Sequence, residues 1–215
     1  WSSDVCSSRS VALARLIRCA IVASGTRKQA AICAVVRPAT ARRVSATREA
    51  SDRSGWAQSI AIAAREHGGH AWIGGGTVLR PAEVDTLQHL GARFIVTPHT
   101  HPPLIRHAVA AGMQVVAGFA TASEAFAALD AGAQMLKLFP AATYGPGHVR
   151  ALRAVLPAVP LFVVGGVTPL TLTDYLAAGS TGAGIGGELY RPGQPIERTR
   201  SGAREFRLVQ TAYRP

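Results

Sequence analysis

An alternation of short apolar runs with helix-forming segments restricts the fold of this sequence more than any other feature. From Trp56 onward, apolar runs end at intervals of roughly twenty to thirty residues, and segments with apolar positions at helical spacing lie between them. The predicted strand ends lie near Gly76, Pro98, Phe119, Lys137, Gly165 and Gly186. Strands that are apolar on both faces and alternate with helices require a parallel sheet covered by helices.

The fold class predicted from this pattern is α/β. The predicted strands are 71–76, 94–97, 115–117, 135–139, 161–164 and 181–186, and the predicted helices are 56–67, 81–90, 102–111, 123–131, 148–156, 169–178 and one within 196–212. Polar and glycine-rich residues follow the strands, where barrel enzymes carry their functional loops, which favours a (β/α)8 TIM barrel over a doubly wound sheet. Counted as a barrel, this part supplies strands three to eight.

Residues 1–55 do not continue the pattern, so we divide the chain into an irregular basic segment, 1–55, and a barrel, 56–215. Segment 9–36 is compatible with helix by composition, but its apolar residues do not stay on one face. A barrel without two strands would expose sheet edges. Because an Ala/Arg/Ser-rich composition without periodicity is typical of a GC-rich gene read out of frame, we predict that residues 1–55 are mistranslated and replace the first two strands.

Charge and cysteine content exclude several function classes. The formal net charge is +11, of which +7 belongs to residues 1–55, with ten Lys/Arg against three Asp/Glu. No run of basic residues with interleaved aromatics follows, so no nucleic-acid partner is predicted, although a nucleic-acid-binding role of this segment is the alternative. The three cysteines lack the spacing of a zinc site or a disulfide framework. The apolar stretch 11–23 is too short to span a bilayer, so we expect no membrane partner and a cytoplasmic location.

One lysine in the barrel part is a candidate catalytic group. Lys137 is the only lysine from Trp56 to the C-terminus, where twelve arginines supply the other basic groups. It lies in an apolar run from Met135 to Ala141, and poor solvation there favours the neutral, nucleophilic amine over its charged form. This pattern indicates a Schiff-base lysine. The alternative is a lysine at a strand end that extends its amine to water.

Glycine turns and a histidine pair are the other candidate sites. The turns at Gly165-Gly166 and at Gly184-Ile185-Gly186-Gly187 follow consecutive strands and each lead to a helix, which favours phosphate binding over mere tight turns. A third turn, Gly74-Gly75-Gly76-Thr77, is suited to a carboxylate. His99 and His101 form a His-x-His pair, but no third ligand is evident, so we predict no metal site.

Five motifs, in order and spacing, resemble those of the 2-keto-3-deoxy-6-phosphosugar-acid (KDPG/KDPGal) aldolases, which are class I aldolases on a (β/α)8 barrel. The motifs are Gly74-Gly75-Gly76-Thr77-Val78-Leu79, Val96-Thr97-Pro98, Lys137-Leu138-Phe139-Pro140-Ala141, Gly165-Gly166-Val167-Thr168-Pro169 and Gly184-Ile185-Gly186-Gly187. The resemblance extends from Trp56 to about Phe206. Val164 and Tyr144-Gly145-Pro146 resemble the galactonate branch of the family.

The resemblance implies a role for each matched residue. Lys137 would form the Schiff base with Phe139 beside it, and Pro98 would line the pocket. The remaining matches would hold the ends of the substrate: Gly75, Gly76 and Thr77 the carboxylate, and Gly165, Gly166, Gly186 and Gly187 the phosphate. It also implies a phosphorylated 2-keto-3-deoxy sugar acid as substrate, pyruvate and glyceraldehyde 3-phosphate as products, no metal or organic cofactor, and a homotrimer.

The sequence departs from the family in two places. Glu188 stands where a serine is common in the second phosphate turn. The arginine run and the glutamate run of the family's first two strands are missing, and Glu49 is a weak candidate for the general base. The alternatives that remain are a gluconate-type or 4-hydroxy-2-oxoglutarate aldolase of the same family, or a barrel impaired by the loss of its base.

Overall fold

Eight strands close a barrel in sequence order. A computed structural model describes residues 20–23, 32–36, 60–61, 63–65, 72–191 and 194–213 of the chain. The strands are β1 (Ala20–Ala23), β2 (Ile32–Val36), β3 (Trp72–Gly76), β4 (Phe94–Val96), β5 (Gln114–Phe119), β6 (Met135–Leu138), β7 (Leu161–Val164) and β8 (Gly182–Ile185). The helices are α1 (Pro81–His89), α2 (Pro102–Ala110), α3 (Ala122–Asp130), α4 (Ala141–Arg153), α5 (Pro169–Ala177) and α6 (Ile196–Ala212).

The six strand–helix units predicted after Trp56 are confirmed. Every neighbouring pair from β2 to β8 is parallel, as strands joined by helical crossovers must be. In the first predicted helix, residues 60–61 and 63–65 are helical, and Ile60 and Ala63 are buried. Within the described residues, no helix combines the length and the apolar composition needed to cross a membrane.

Two strands, β1 and β2, lie in the first quarter, where the sequence showed no regular pattern and a helix was merely compatible with the composition. β1 pairs antiparallel with both β2 and β8. The link between β1 and β2 is only residues 24–31, which is shorter than the roughly 10–12 residues that a crossover to a parallel strand requires. A helical crossover does not fit this length, and β1 runs antiparallel to both neighbours. The rest of residues 1–55, including Glu49, lies outside the described residues.

The strands separate two apolar clusters. The larger lies between strands and helices and includes Ile95, Val115, Leu136 and Leu138, which alternate with inward-facing positions. The smaller fills the barrel interior, and its members are Phe94, Val96, Val116, Met135 and Phe162, with Trp72 packed against them. Lys137 lies between two outward-facing leucines and two residues after Met135, so its side chain enters the barrel interior.

Arg153 joins the elements at the end of the barrel where β7 and β8 begin. Its Nε donates to the Gly179 carbonyl at 2.8 Å, its Nη1 to the Val159 carbonyl at 2.7 Å and its Nη2 to the Thr181 hydroxyl at 3.3 Å. These contacts lie at the opposite end of the barrel from the residues that follow the strands. Arg153 therefore supports the fold without touching the candidate site.

Candidate active site

The carboxyl ends of the parallel strands bring the predicted site residues to one end of the barrel. Lys137 is on β6 and Phe139 follows it. The other members follow four different strands: Gly75, Gly76 and Thr77 end or follow β3, Pro98 follows β4, Gly165 and Gly166 follow β7, and Gly186 and Gly187 follow β8. This end of a (β/α)8 barrel is where such enzymes hold their substrates.

Lys137 is held inside this end of the barrel. Its side chain is 7% exposed, and its strand partners are Gly118 on β5 and Phe162 on β7. The Nζ atom lies 5.2 Å from the centre of the Phe139 ring, within the range of a cation–π contact. The amine therefore does not extend into bulk water, which was the alternative to a catalytic role.

Pro98 lies against Gly118 on β5, the strand next to the lysine strand, because Gly118 has no side chain. A Cβ atom at Gly118 would lie 2.4 Å from the Pro98 carbonyl carbon and 2.6 Å from the His99 nitrogen. No side chain fits there without moving the backbone. The Pro98–His99 peptide thus covers the residue that pairs with Lys137.

The turn after β3 contains a strained residue that the sequence did not reveal. Thr77 has φ +60°, a left-handed conformation that is rare for β-branched residues and costs on the order of 1–3 kcal/mol. Gly76 lies on the inward face of β3, whereas Gly75 faces outward, and a Cβ there would lie 2.4 Å from Leu87 Cδ1 of α1. A side chain at residue 75 would therefore have to displace the buried Leu87 side chain.

The turn after β7 is packed directly on the segment after Lys137. Gly165 and Gly166 have φ +98° and +73°, and a Cβ at Gly165 would lie 3.0 Å from Phe139 Cε2. The Ala142 amide donates to the Gly165 carbonyl at 3.0 Å. The lysine segment and this turn therefore form one unit, which continues into α5 through the N-cap Thr168.

The turn after β8 does not lead directly into a helix, and the last helix lies within the predicted range 196–212. The amides of Leu189 and Tyr190 both bond to the Gly186 carbonyl, at 2.9 and 3.0 Å, so the chain makes a single turn here and α6 begins only at Ile196. Glu188 Oε1 lies 3.8 Å from Arg191 Nη2, and Arg191 Nε donates to the Gly187 carbonyl at 3.1 Å. The negative charge that Glu188 brings to this turn is therefore partly offset by Arg191.

Two pairs of aromatic side chains lie near the site. The rings of His99 and His101 stack with centroids 5.9 Å apart, and within the described part of the chain no three His, Cys, Asp or Glu side chains are grouped to hold a metal ion. Sequence reasoning missed the second pair, Tyr144 and His148, whose centroids are 4.9 Å apart. A ring nitrogen of His148 lies 3.0 Å from the Ala120 carbonyl after β5.

The second pair was missed because α4 begins earlier than predicted. The helix after β6 was predicted to begin at His148. α4 instead consists of two helical segments that meet at Gly145, whose φ of 73° and ψ of 172° are not helical, and the first segment begins at Ala141. Tyr144 and His148 lie on opposite sides of this break, so helical spacing gave no signal for their contact.

Sequence comparisons identify relatives of known activity. The sequence model of the family described as KDPG and KHG aldolase matches residues 14–199, a range that begins before Trp56. The 2-dehydro-3-deoxy-6-phosphogalactonate aldolase of Escherichia coli strain K12 is 51% identical over 152 residues, which cover 70% of this chain and 74% of that protein. A probable 2-dehydro-3-deoxy-6-phosphogalactonate aldolase of Rhizobium meliloti strain 1021 is 45% identical over 122 residues, covering 56% of this chain and 58% of that protein.

Structure comparison gives the same result. A solved structure described as native KDPGal superposes with a TM-score of 0.71 at 50% identity and covers 73% of this chain and 76% of that chain. On the family match, the sequence identity and the shared fold, this chain belongs to the KDPG and KHG aldolase family.

Proposed function

We propose that this chain is a class I aldolase that cleaves 2-dehydro-3-deoxy-6-phosphogalactonate into pyruvate and glyceraldehyde 3-phosphate through a Schiff base on Lys137. The observation that carries the proposal is that Lys137 is buried beside the Phe139 ring at the carboxyl end of the barrel, next to a strand partner, Gly118, that the Pro98–His99 peptide covers. A poorly solvated amine in a shaped pocket is suited to attack a ketone. The galactonate relatives and Val164, half-buried before the Gly165-Gly166 turn, favour the galactonate substrate.

In the proposed reaction, the neutral amine of Lys137 attacks the C2 ketone, and water leaves to give an iminium ion. A base removes the proton of the C4 hydroxyl, the C3–C4 bond breaks, and its electron pair moves to C3 to form an enamine as glyceraldehyde 3-phosphate departs. The enamine takes a proton at C3. Hydrolysis of the iminium then releases pyruvate and regenerates the amine of Lys137. The iminium is the electron sink because it accepts the electron pair of the broken C3–C4 bond.

The glycine turns would orient the substrate over the lysine. Within the described residues, the N–H groups of Gly166 and Gly187 donate to no acceptor, so both can donate to an anion. We assign Gly165, Gly166, Gly186 and Gly187 to the phosphate, and Gly76 and Thr77 with Gly75 to the carboxylate. Anchoring both ends fixes the scissile bond beside Lys137 and turns binding energy into orientation. A homotrimer and a cytoplasmic location are part of the same proposal.

Reductive trapping tests the proposal. The chain contains two lysines, Lys28 and Lys137, so Lys28→Arg is a matched control for Lys137→Arg. Incubation with pyruvate and borohydride should attach the three-carbon unit to the peptide that contains Lys137, in the parent protein and in K28R, but not in K137R. Turnover of the galactonate substrate and of its gluconate epimer then measures the preference.

A metal-dependent reaction would give the opposite result. Activity that is abolished by EDTA, with no adduct on Lys137, would contradict the Schiff-base mechanism and direct attention to His99 and His101. An adduct that forms on K137R would show that another amine is the nucleophile.

A further inference from the structure

The segment after β4 leaves the sheet in an unusual way at the site. The last regular ladder bond between β4 and β5 runs from the Thr97 amide to the Val116 carbonyl at 3.1 Å. With Val96 paired to Val116, a regular parallel ladder would next join Gly118 to the carbonyl of Thr97 and the amide of His99. The Pro98–His99 peptide instead turns inward over Gly118, which removes both partners.

Two threonine hydroxyls replace the missing partners. The Gly118 amide donates to Thr97 Oγ1 at 3.0 Å, and Thr100 Oγ1 donates to the Gly118 carbonyl at 2.8 Å. Thr97 Oγ1 also donates to the His99 carbonyl at 2.8 Å. The Thr97 hydroxyl therefore bonds to β5 through the Gly118 amide and to the inward-turned segment through the His99 carbonyl.

Thr97 is fully buried, with 0% of its surface exposed. Its one hydroxyl proton is used by His99, and the bond from Gly118 uses an acceptor site of the same oxygen. The bond from the Gly118 amide is buried, whereas the bond to the carbonyl of the exposed His99 is partly buried, so removal of the hydroxyl leaves at least the Gly118 N–H buried without a partner. The segment then has less to hold it in its inward position.

This position matters because Gly118 is the strand partner of Lys137. Neighbouring strands lie about 4.8 Å apart, so the Pro98–His99 peptide that covers Gly118 borders the space that the Lys137 side chain enters. The Phe139 ring borders the same space, 5.2 Å from Nζ. A shift of the peptide away from Gly118 would widen the pocket beside the amine.

We infer that Thr97 is a positioning residue for Lys137: its hydroxyl fixes the Pro98–His99 peptide as the wall against which the amine and the carbon it attacks are aligned. This inference rests on the proposed function. It assigns to Thr97 an effect on the rate at which the covalent bond forms. Reactions of this kind lose rate steeply when a reacting group is misplaced by about 1 Å.

The test compares Thr97→Val, which keeps the shape and removes the hydroxyl, with Thr97→Ser, which keeps the hydroxyl. Arg153→Met is the control for lost stability, because it removes hydrogen bonds at the far end of the barrel. The rate of reductive trapping of pyruvate on Lys137 should fall about tenfold in T97V and change little in T97S and R153M. Hydrogen exchange of the segment that contains Gly118 should be faster in T97V alone.

The possible results separate the role of Thr97 from the proposed Schiff-base mechanism. Trapping in the parent protein together with an unchanged rate in T97V would overturn the role of Thr97 and leave the Schiff base intact. If the trapping rate falls as far in R153M as in T97V, the loss in T97V reflects lower fold stability, and the positioning role of Thr97 is overturned as well. If pyruvate is not trapped on the parent protein, the proposed function fails. Independently, an unchanged rate of hydrogen exchange at Gly118 in T97V would overturn the structural role of Thr97.

Discussion

Replacing Tyr175 by phenylalanine should destabilise the protein by removing one oxygen atom. The Tyr175 hydroxyl donates to the Ala141 carbonyl at 2.9 Å, and the side chain is 3% exposed. The bond ties α5, which follows the Gly165-Gly166 turn, to the first residue of α4, which follows the lysine strand. Losing a buried hydrogen bond and leaving its acceptor without that partner costs about 1–2 kcal/mol. For a chain of this size, each kcal/mol lowers Tm by about 2–4 °C.

The pH dependence provides a second measure of the same contact. Burial raises the pKa of the Tyr175 hydroxyl, so the folded state favours the neutral form. The stability that this group contributes is fully present below its unfolded pKa of about 10 and is lost as the pH rises through the folded value. The difference in unfolding free energy between parent and Y175F should therefore be constant from pH 7 to 9 and shrink above pH 10.

Urea unfolding followed by circular dichroism measures both effects. Tyr213→Phe is the matched control, because the Tyr213 hydroxyl bonds to no other residue in the part of the chain that the structure describes. Equal stability of Y175F and Y213F at pH 7, or a difference between parent and Y175F that grows above pH 10, would refute the reasoning.

The remaining predictions concern a helix cap and the first quarter of the chain. Hydrogen bonds from the Ala120 amide, and then from Thr121, lower the pKa of the Glu124 carboxyl. The stability that this carboxylate contributes is therefore present above its unfolded pKa and is lost as the pH falls through the folded value. Urea unfolding should show E124Q less stable than the parent at pH 7 and the two converging toward pH 3; a constant difference would contradict this. We also propose that residues 1–55 are encoded out of frame. DNA sequencing should then find, in one of the other two frames, a strand-forming run with arginine followed by one with glutamate, and the absence of both runs would remove the proposal.

The part of the fold that was predictable is the part fixed by local patterns. Apolar periodicity and glycine at strand ends located β3 to β8, and a single lysine among arginines drew attention to Lys137, which the structure buries inside the barrel. These signals reside within a few neighbouring residues, so they can be recognised without knowledge of distant contacts.

The rest depends on contacts between residues distant in sequence. The direction of β1 follows from the short link to β2 and from pairing with β8 at the other end of the chain. Gly118 is required by the backbone of the Pro98–His99 peptide, which is not adjacent in sequence. Gly75 packs on the side chain of Leu87, which is also distant in sequence. The left-handed Thr77 was also hidden, because three preceding glycines were the obvious candidates for such a conformation.

The reversed direction of β1 limits which parts of the chain can reach the substrate. Ala23, at the end of β1, lies beside Gly182 at the start of β8, whereas Ala20 lies beside Ile185. Ala23 is therefore at the end of the barrel remote from Lys137. β2 runs the other way, with Ile32 beside Trp72 and Val36 beside Gly75. Among the described residues of the first quarter, the start of β1 and the end of β2 therefore lie at the end of the barrel that carries the candidate site, and Ala23 and Ile32 lie at the other end.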